Sequence, residues 1–206
     1  MTTTLDTTLS SIDDATADLL FREARTIKRF TDEEVTDAEI AAAYDLMRWG
    51  PTAMNISPLR YLVVRTPEAR RRLTAHLGEG NHAGVLAAPV TLVVAADTAF
   101  HRHMDRLAPH MAGIAEHLDG QPEVREHMAR MNAALQSGYF LTALRATGLQ
   151  VGPMGIQDAA GLEADLFDDD AWRALHIVNV GRAPAAEGAT YPRAARLEAA
   201  EVSRTL

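Results

Sequence analysis

The chain has 206 residues, of which 47% are hydrophobic and 23% are charged, a composition typical of a single globular domain. Its 20 basic and 28 acidic residues give a formal net charge of -8, which argues against nucleic-acid and anionic-membrane partners. The absence of cysteine excludes disulfides, thiolate metal sites and cysteine nucleophiles. Neither a membrane-length apolar stretch nor a signal peptide is visible in the sequence, so we expect a cytoplasmic protein.

The first fifty or so residues predict two helices. Residues 1–10 are rich in threonine, and we expect them to fray. Residues 13–21 carry apolar side chains at helical spacing and predict the first helix. Thr36 and Glu39 have the spacing of a capping box, in which each side chain satisfies a free backbone N–H group of the other residue. A second helix therefore begins there, and Gly50, followed by proline, ends it.

The middle of the chain predicts two strands and an irregular segment. Residues 60–65 are rich in strand-forming side chains, and the following Thr66-Pro67 pair provides a cap and first turn for a helix. Residues 90–95 are apolar on both faces, which predicts a central strand. Residues 97–125 follow no clear period, and long irregular stretches of this kind are typical of lids or binding loops.

The last third of the chain predicts a long helix, a third strand and an arm. Small and apolar side chains on several sides of residues 123–147 indicate a central, largely buried helix, which Gly148 ends. Residues 168–170 are three aspartates and favour the start of a helix at the next residue. Residues 176–180 predict a strand, and residues 185–206 form a C-terminal arm. This interleaving favours an α/β or α+β fold, with helices covering a sheet.

Several motifs of known chemistry are missing from the sequence. It contains neither a GxxxxGK[ST] phosphate loop nor a GxSxG nucleophile elbow. The glycine-rich residues 78–84 have one residue too many for a dinucleotide fingerprint and follow a helical pattern rather than a strand. Histidines are frequent within residues 97–125, but no HExxH pattern is present, and we predict no metal site.

Four separated pieces of the sequence resemble the FMN-dependent nitroreductase family. Residues 24–30 are similar to its basic, hydroxyl, basic and aromatic signature, and residues 50–58 resemble its Pro-Ser-x-x-Asn-x-Gln-Pro segment. Residues 148–155 resemble the family's segment beside the flavin ring, and residues 192–197 resemble its C-terminal basic pair. The four pieces keep the family's order over nearly the whole chain. Two departures are Ser57 in place of glutamine and Gly155-Ile156 in place of a small residue followed by glycine.

The resemblance implies an α+β fold with a mixed sheet flanked by helices, in an intertwined homodimer. The single domain, residues 1–206, would bind FMN at the subunit interface and take hydride from NADH or NADPH in a ping-pong reaction with a small molecule. The finer likeness is to the malonic semialdehyde reductase subgroup, which implies reduction of a small carbonyl acid to 3-hydroxypropionate. A general nitroaromatic or quinone reductase and a non-enzymatic flavin-binding module remain open as alternatives.

The resemblance also implies which residues contact the cofactor. Arginine forks suit the phosphate, a cation suits the reduced ring, and backbone that can approach closely suits the ring edge. One segment, residues 51–55, would reach the flavin of the partner subunit. No side chain is expected to be catalytic, because the flavin carries the chemistry. The implied cofactor-binding residues are Arg25, Thr26, Lys28, Pro51, Thr52, Ala53, Asn55, Asn81, Pro153, Met154, Gly155, Arg193 and Arg196.

An anionic substrate would need local positive charge, because the net charge of the chain repels it. Arg102 and Arg106 are four residues apart and share one face if that piece is helical. His101 and His103 would add charge below neutral pH. Residues 97–125 are therefore a candidate lid that contributes to substrate binding, and a solvated surface helix is the alternative interpretation.

Overall fold

Four strands form one sheet in the computed structural model of the chain, which describes residues 11–185 and 189–206. The sheet order is β1-β2-β4-β3, and within the described residues every neighbouring pair is antiparallel, without the parallel pair that a mixed sheet requires. Residues 1–10, predicted to fray, lie outside the described part of the chain. The strands are β1 (Leu59–Val64), β2 (Val90–Asp97), β3 (Gln150–Met154) and β4 (Trp172–Gly181).

Helices occupy most of the sequence between the strands, which confirms an α+β fold. The first helix is shorter than predicted, because its second half is a π-helical turn at Asp18–Arg22. Elsewhere, single 3-10 turns occur at Ala53–Asn55 and Phe100–His103. The helices are α1 (Asp14–Ala17), α2 (Asp37–Met47), α3 (Pro67–Thr74), α4 (Glu79–Ala87), α5 (Met104–Leu107), α6 (Ile114–Asp119), α7 (Pro122–Ala146), α8 (Ala159–Leu166) and α9 (Ala199–Val202).

The sheet is covered on both faces. Leu92 of β2 packs on one face in a buried cluster that includes Phe140 of α7. Val93, the next residue, lies in the other cluster with Leu73 of α3 and Leu162 of α8, as the two-residue period of a strand requires. Every residue of β2 is buried, which confirms the predicted central strand.

The start of α2 confirms the predicted capping box. The Thr36 hydroxyl accepts from the Glu39 backbone N–H group at 3.3 Å, and the Glu39 carboxylate accepts from the Thr36 N–H group at 2.8 Å. This backbone hydrogen bond, together with one from Arg182 at 2.6 Å, lowers the pKa of Glu39 to about 2. The bond between Arg182 and Glu39 attaches the end of β4 to the beginning of α2.

α7 is the central helix that the sequence predicts, but only part of its surface is buried. Ala129, Ala133 and Phe140 pack into the core, whereas Met131 and Leu135 are exposed. The helix ends as expected, since Gly148 adopts a left-handed conformation with φ of 85°. The burial predicted on several sides is therefore not reached within one chain.

The structure departs from the sequence prediction at β3 and at the residues before β4. β3 was not predicted, because it contains Gly152 and Pro153, which are poor strand residues. The helix predicted after residues 168–170 is wrong. Asp169 instead forms a turn, in which its carboxylate accepts from the Ala171 N–H group at 2.8 Å, and β4 begins immediately afterwards.

Candidate functional site

Two of the sequence pieces singled out above lie side by side at the edge of the sheet. The Ile27 N–H group donates to the Val151 carbonyl of β3 at 2.9 Å, and the Lys28 N–H group donates to the Ala189 carbonyl at 2.8 Å. A Cβ atom at Gly152 would lie 2.4 Å from the Ile27 carbonyl oxygen, so glycine permits this approach. The strip that contains Arg25 to Lys28 is therefore fixed against β3.

Basic side chains from three parts of the chain meet in a cleft of about 620 Å³ beside this strip, and we call it the arginine cleft. Thr26 and the aromatic Tyr191 also line it. Within the described residues, no aspartate or glutamate lines the cleft. In a chain of net charge -8, this local excess of positive charge favours a bound anion. The basic lining residues are Arg22, Arg25, Lys28, Arg145, Arg193 and Arg196.

The predicted basic residues of this cleft make few ionic contacts. Arg25 donates to the Tyr191 carbonyl, and Arg196 donates to two neighbouring carbonyls at 3.1 and 3.0 Å. The Lys28 ammonium lies 5.6 Å from the centre of the Tyr191 ring. Arg193 has a carboxylate nearby, the exposed Glu23, at 3.6 Å. Guanidinium groups that donate only to carbonyls retain their charge for a ligand.

Arg145 is a member of the arginine cleft that the sequence interpretation missed. It lies in the last turn of α7, where burial lowers its pKa. Its hydrogen-bond partner within the described residues is the Leu20 carbonyl, at 3.5 Å. A partly desolvated cation without a carboxylate gains stability from a bound anion. Its sequence signal, a basic residue at a helix C-terminus, is ordinarily explained by the helix dipole alone.

The residues expected near a flavin ring occupy two places. Pro153 and Met154 end β3, and Gly155 follows them with open space where a Cβ atom would lie. These three residues continue directly from the strand that holds Ile27. Asn81 lies in the first turn of α4 and is not among the lining residues of the arginine cleft.

The predicted segment of residues 51–55 lies against α7. None of its residues lines the arginine cleft. The Asn132 side chain accepts from the Ala53 N–H group at 2.8 Å, and the Gln136 side chain accepts from the Leu59 N–H group at 2.9 Å. Between these two attachments Met54, Asn55 and Ser57 all have positive φ, with values of 51°, 56° and 40°. Strained backbone of this kind is concentrated at functional sites.

A second cleft, of about 510 Å³, lies beside this strained segment, and we call it the tryptophan cleft. Asn55 and Ser57 both line it, and the Asn55 side-chain amide donates to the Leu107 carbonyl at 2.9 Å. Its walls combine aromatic and basic side chains. These are Tyr44, Trp49, Tyr61 and Trp172, with Arg48, Arg60, His103 and Arg106.

Two expectations for residues 97–125 need correction. Arg102 and Arg106 do not share one helix, because Arg102 lies in a 3-10 turn and Arg106 lies in α5, and of the two only Arg106 lines the tryptophan cleft. His101 does not gain charge readily, since burial and the nearby Arg125 lower its pKa. It is bound instead to Asp119, at 3.0 Å.

Residues 11–185 and 189–206 show neither a metal-binding cluster nor a membrane-spanning helix. No group of three or more histidine and carboxylate side chains there is arranged to hold a metal ion. No helix in that part of the chain combines the length and apolarity needed to cross a membrane.

Comparisons with known proteins show which family the chain belongs to. Residues 21–182 match the model of the nitroreductase family. A Streptomyces coelicolor protein, provisionally named NADH dehydrogenase/NAD(P)H nitroreductase, is 46% identical over 195 residues, which cover 95% of this chain and 98% of the relative.

Solved structures share the fold. A provisionally named nitroreductase from Bacillus subtilis has a TM-score of 0.79 at 19% identity, covering 93% of this chain and 99% of its own. Another, from Exiguobacterium sibiricum and in complex with FMN, has a TM-score of 0.78 at 17% identity. That match covers 97% of this chain and 100% of the Exiguobacterium chain. The match of the family model over most of the chain and the identity to the Streptomyces relative show that this chain belongs to the nitroreductase family.

Proposed function

We propose that this protein is an FMN-dependent oxidoreductase that uses NADH or NADPH as its electron donor. The arginine cleft is the observation that carries this proposal. FMN bears a dianionic phosphate, and the cleft offers several guanidinium groups and a threonine hydroxyl without a lining carboxylate among the described residues. The phosphate would be held by Arg25, Thr26, Arg193 and Arg196. Arg145, which lines the same cleft, would add its positive charge.

The remaining cofactor contacts follow from the strip beside β3. Lys28 would lie near the pyrimidine side of the ring, where a cation favours the reduced state. Gly155 is exposed and has open space where a Cβ atom would lie, so its backbone N–H group would contact the ring edge, and Pro153 and Met154 would pack beside it. Asn81 would contact the ring edge from α4. FMN, when bound, supplies the hydride chemistry in ping-pong order, so no side chain needs to act as acid, base or nucleophile.

We also propose that the active form is a homodimer. The outer surfaces of α2 and α7 carry large apolar side chains that stay exposed among the described residues, including Leu46, Met131, Leu135 and Tyr139. Exposed apolar surface of this kind marks interaction sites. The neighbouring Pro51, Thr52, Ala53 and Asn55 do not line the arginine cleft of their own chain, which fits a role at the flavin of the partner subunit.

For the physiological acceptor we propose a small carbonyl acid such as malonic semialdehyde, which would be reduced to 3-hydroxypropionate in the cytoplasm. The basic residues of the tryptophan cleft favour an anionic acceptor. A general nitroaromatic or quinone reductase is the second candidate. It is favoured by the name of the Streptomyces coelicolor relative, which includes NAD(P)H nitroreductase.

The test is an assay of NADH and NADPH oxidation by the FMN-loaded protein with a quinone as acceptor. We expect turnover with at least one of the two donors, and parallel double-reciprocal lines when both substrates are varied. Free FMN at the same concentration is the control for non-enzymatic oxidation. FMN-loaded protein that oxidises neither donor faster than this control would instead indicate a flavin-binding module without turnover.

A further inference from the structure

The tryptophan cleft holds positive charge that its surroundings do not neutralise. Arg60 is fully engaged, because its guanidinium bonds the buried Asp97 carboxylate at 2.5 Å and the carbonyls of Ser57 and Leu59 at 3.1 and 2.9 Å. Arg106 differs from it: within the described residues its guanidinium forms no ion pair with a carboxylate and donates no hydrogen bond to a carbonyl. No aspartate or glutamate in the described chain lines the cleft.

Arg48 provides a second cation in the lining of the same cleft. Its guanidinium lies 5.2 Å from the centre of the Trp49 ring, and its carboxylate neighbour Asp45 is mostly exposed, at 3.4 Å. Such an exposed ion pair is weak, so it leaves much of the charge available to a ligand. The stacking on Trp49 restricts the side chain and keeps it at the rim of the cleft.

Arg106 is also attached to the segment that is proposed to reach the partner's flavin. The Asn55 amide bonds the carbonyl of Leu107, the residue that follows Arg106 in α5. Arg106, Asn55 and Ser57 all line the tryptophan cleft, so a ligand that Arg106 holds there shares the cleft with both residues. An acceptor must lie beside the flavin to be reduced, and this cleft adjoins the segment expected there.

We propose that Arg106, assisted by Arg48, forms a carboxylate-binding subsite that selects small anionic acceptors over neutral ones. This inference rests on the proposed function and assigns the acceptor class to particular residues. Guanidinium groups bind carboxylates through paired, charge-assisted hydrogen bonds. The aromatic walls, among them Tyr61 and Trp172, exclude part of the water and strengthen that attraction.

The chain offers a matched control in Arg102. It is exposed, as Arg106 is, and it lies four residues earlier, but it does not line the cleft. Arg102→Ala therefore removes the same charge from the same part of the surface. A long-range effect of net charge would weaken ligand binding equally in both variants. Loss of a direct contact would weaken it only in Arg106→Ala.

Binding is measured first, by calorimetric titration of the FMN-loaded protein with 3-hydroxypropionate and with the neutral 1,3-propanediol. We expect Arg106→Ala to weaken binding of the acid about 10- to 100-fold, the range for a charge-assisted hydrogen bond. Arg106→Lys is expected to lose less, and Arg102→Ala to stay within about twofold of the parent. Equal effects at the two arginines, or no binding of the acid by the parent, would overturn the subsite.

Turnover then compares malonic semialdehyde with its uncharged methyl ester. The ratio of the two kcat/KM values, acid to ester, is expected to fall about 10- to 100-fold in Arg106→Ala and to be retained in Arg102→Ala. An unchanged ratio in Arg106→Ala contradicts the proposal. Oxidation of NADH and NADPH by the parent separates the two claims: if neither the quinone nor malonic semialdehyde supports it while 3-hydroxypropionate binding depends on Arg106, the proposed function fails and the anion-binding subsite stands.

Discussion

Replacing Arg25 or Arg196 by alanine is expected to weaken FMN binding by about 1.5–3 kcal/mol, the range for a hydrogen bond to a charged group. Both guanidinium groups line the arginine cleft and donate to backbone carbonyls, so each is available to the phosphate. The half-buried Arg145, replaced by glutamine, is expected to shift the affinity in the same direction. Titration of the cofactor-free protein with FMN, followed by flavin fluorescence, measures the three affinities.

The control for these variants is Arg71→Ala rather than a change at Arg70. Arg70 is only partly exposed, and it donates to the Pro89 and Leu86 carbonyls at 2.5 and 3.3 Å. Arg71 is exposed and does not line the arginine cleft. If FMN affinity falls as far in Arg71→Ala as in the cleft variants, the phosphate assignment is incorrect.

Leu135→Asp is expected to convert a dimer to a monomer and to release FMN. Leu135 is 47% exposed on the outer face of α7, between the exposed Met131 and Tyr139. A carboxylate there would have to be desolvated in an apolar interface, which costs several kcal/mol. FMN would be lost with the partner because the proposed site includes the partner's segment of residues 51–55. Light scattering and flavin absorbance, measured on the same sample, report both effects.

Leu86→Asp provides a matched control, because Leu86 is also 47% exposed but lies on α4. This variant is expected to remain dimeric and to retain flavin. Circular dichroism of both variants verifies that they are folded. We expect the parent dimer to bury upwards of about 2,000 Å², as obligate dimers do. A parent protein that is monomeric while holding FMN would contradict a site shared between two subunits.

The elements that the sequence predicts correctly are those determined by local chemistry. The capping box of Thr36 and Glu39, the proline at the start of α3 and the fully apolar β2 need no tertiary information. The arginine cleft was predictable in part. Arg25 and Arg196 are far apart in sequence, and it was the family resemblance that linked them.

The parts that were missed depend on contacts between distant residues. β3 forms because a neighbouring strand and the Ile27 strip pair with its backbone, although Gly152 and Pro153 disfavour a strand locally. Arg145 becomes part of the arginine cleft only because the fold brings the N-terminal strip and the C-terminal arm to the same cleft. Arg102 and Arg106 have helical spacing, but a change from a 3-10 turn to α5 between them directs only Arg106 into the tryptophan cleft.

The visible absorption spectrum of the purified protein, with identification of the released cofactor, tests the central claim most directly. The arginine cleft and the family assignment predict a yellow protein with a flavin spectrum that releases FMN on denaturation. The excess of cations over carboxylates in the cleft also predicts that colourless protein takes up added FMN. Protein that is colourless and shows no binding when titrated with FMN would contradict the account.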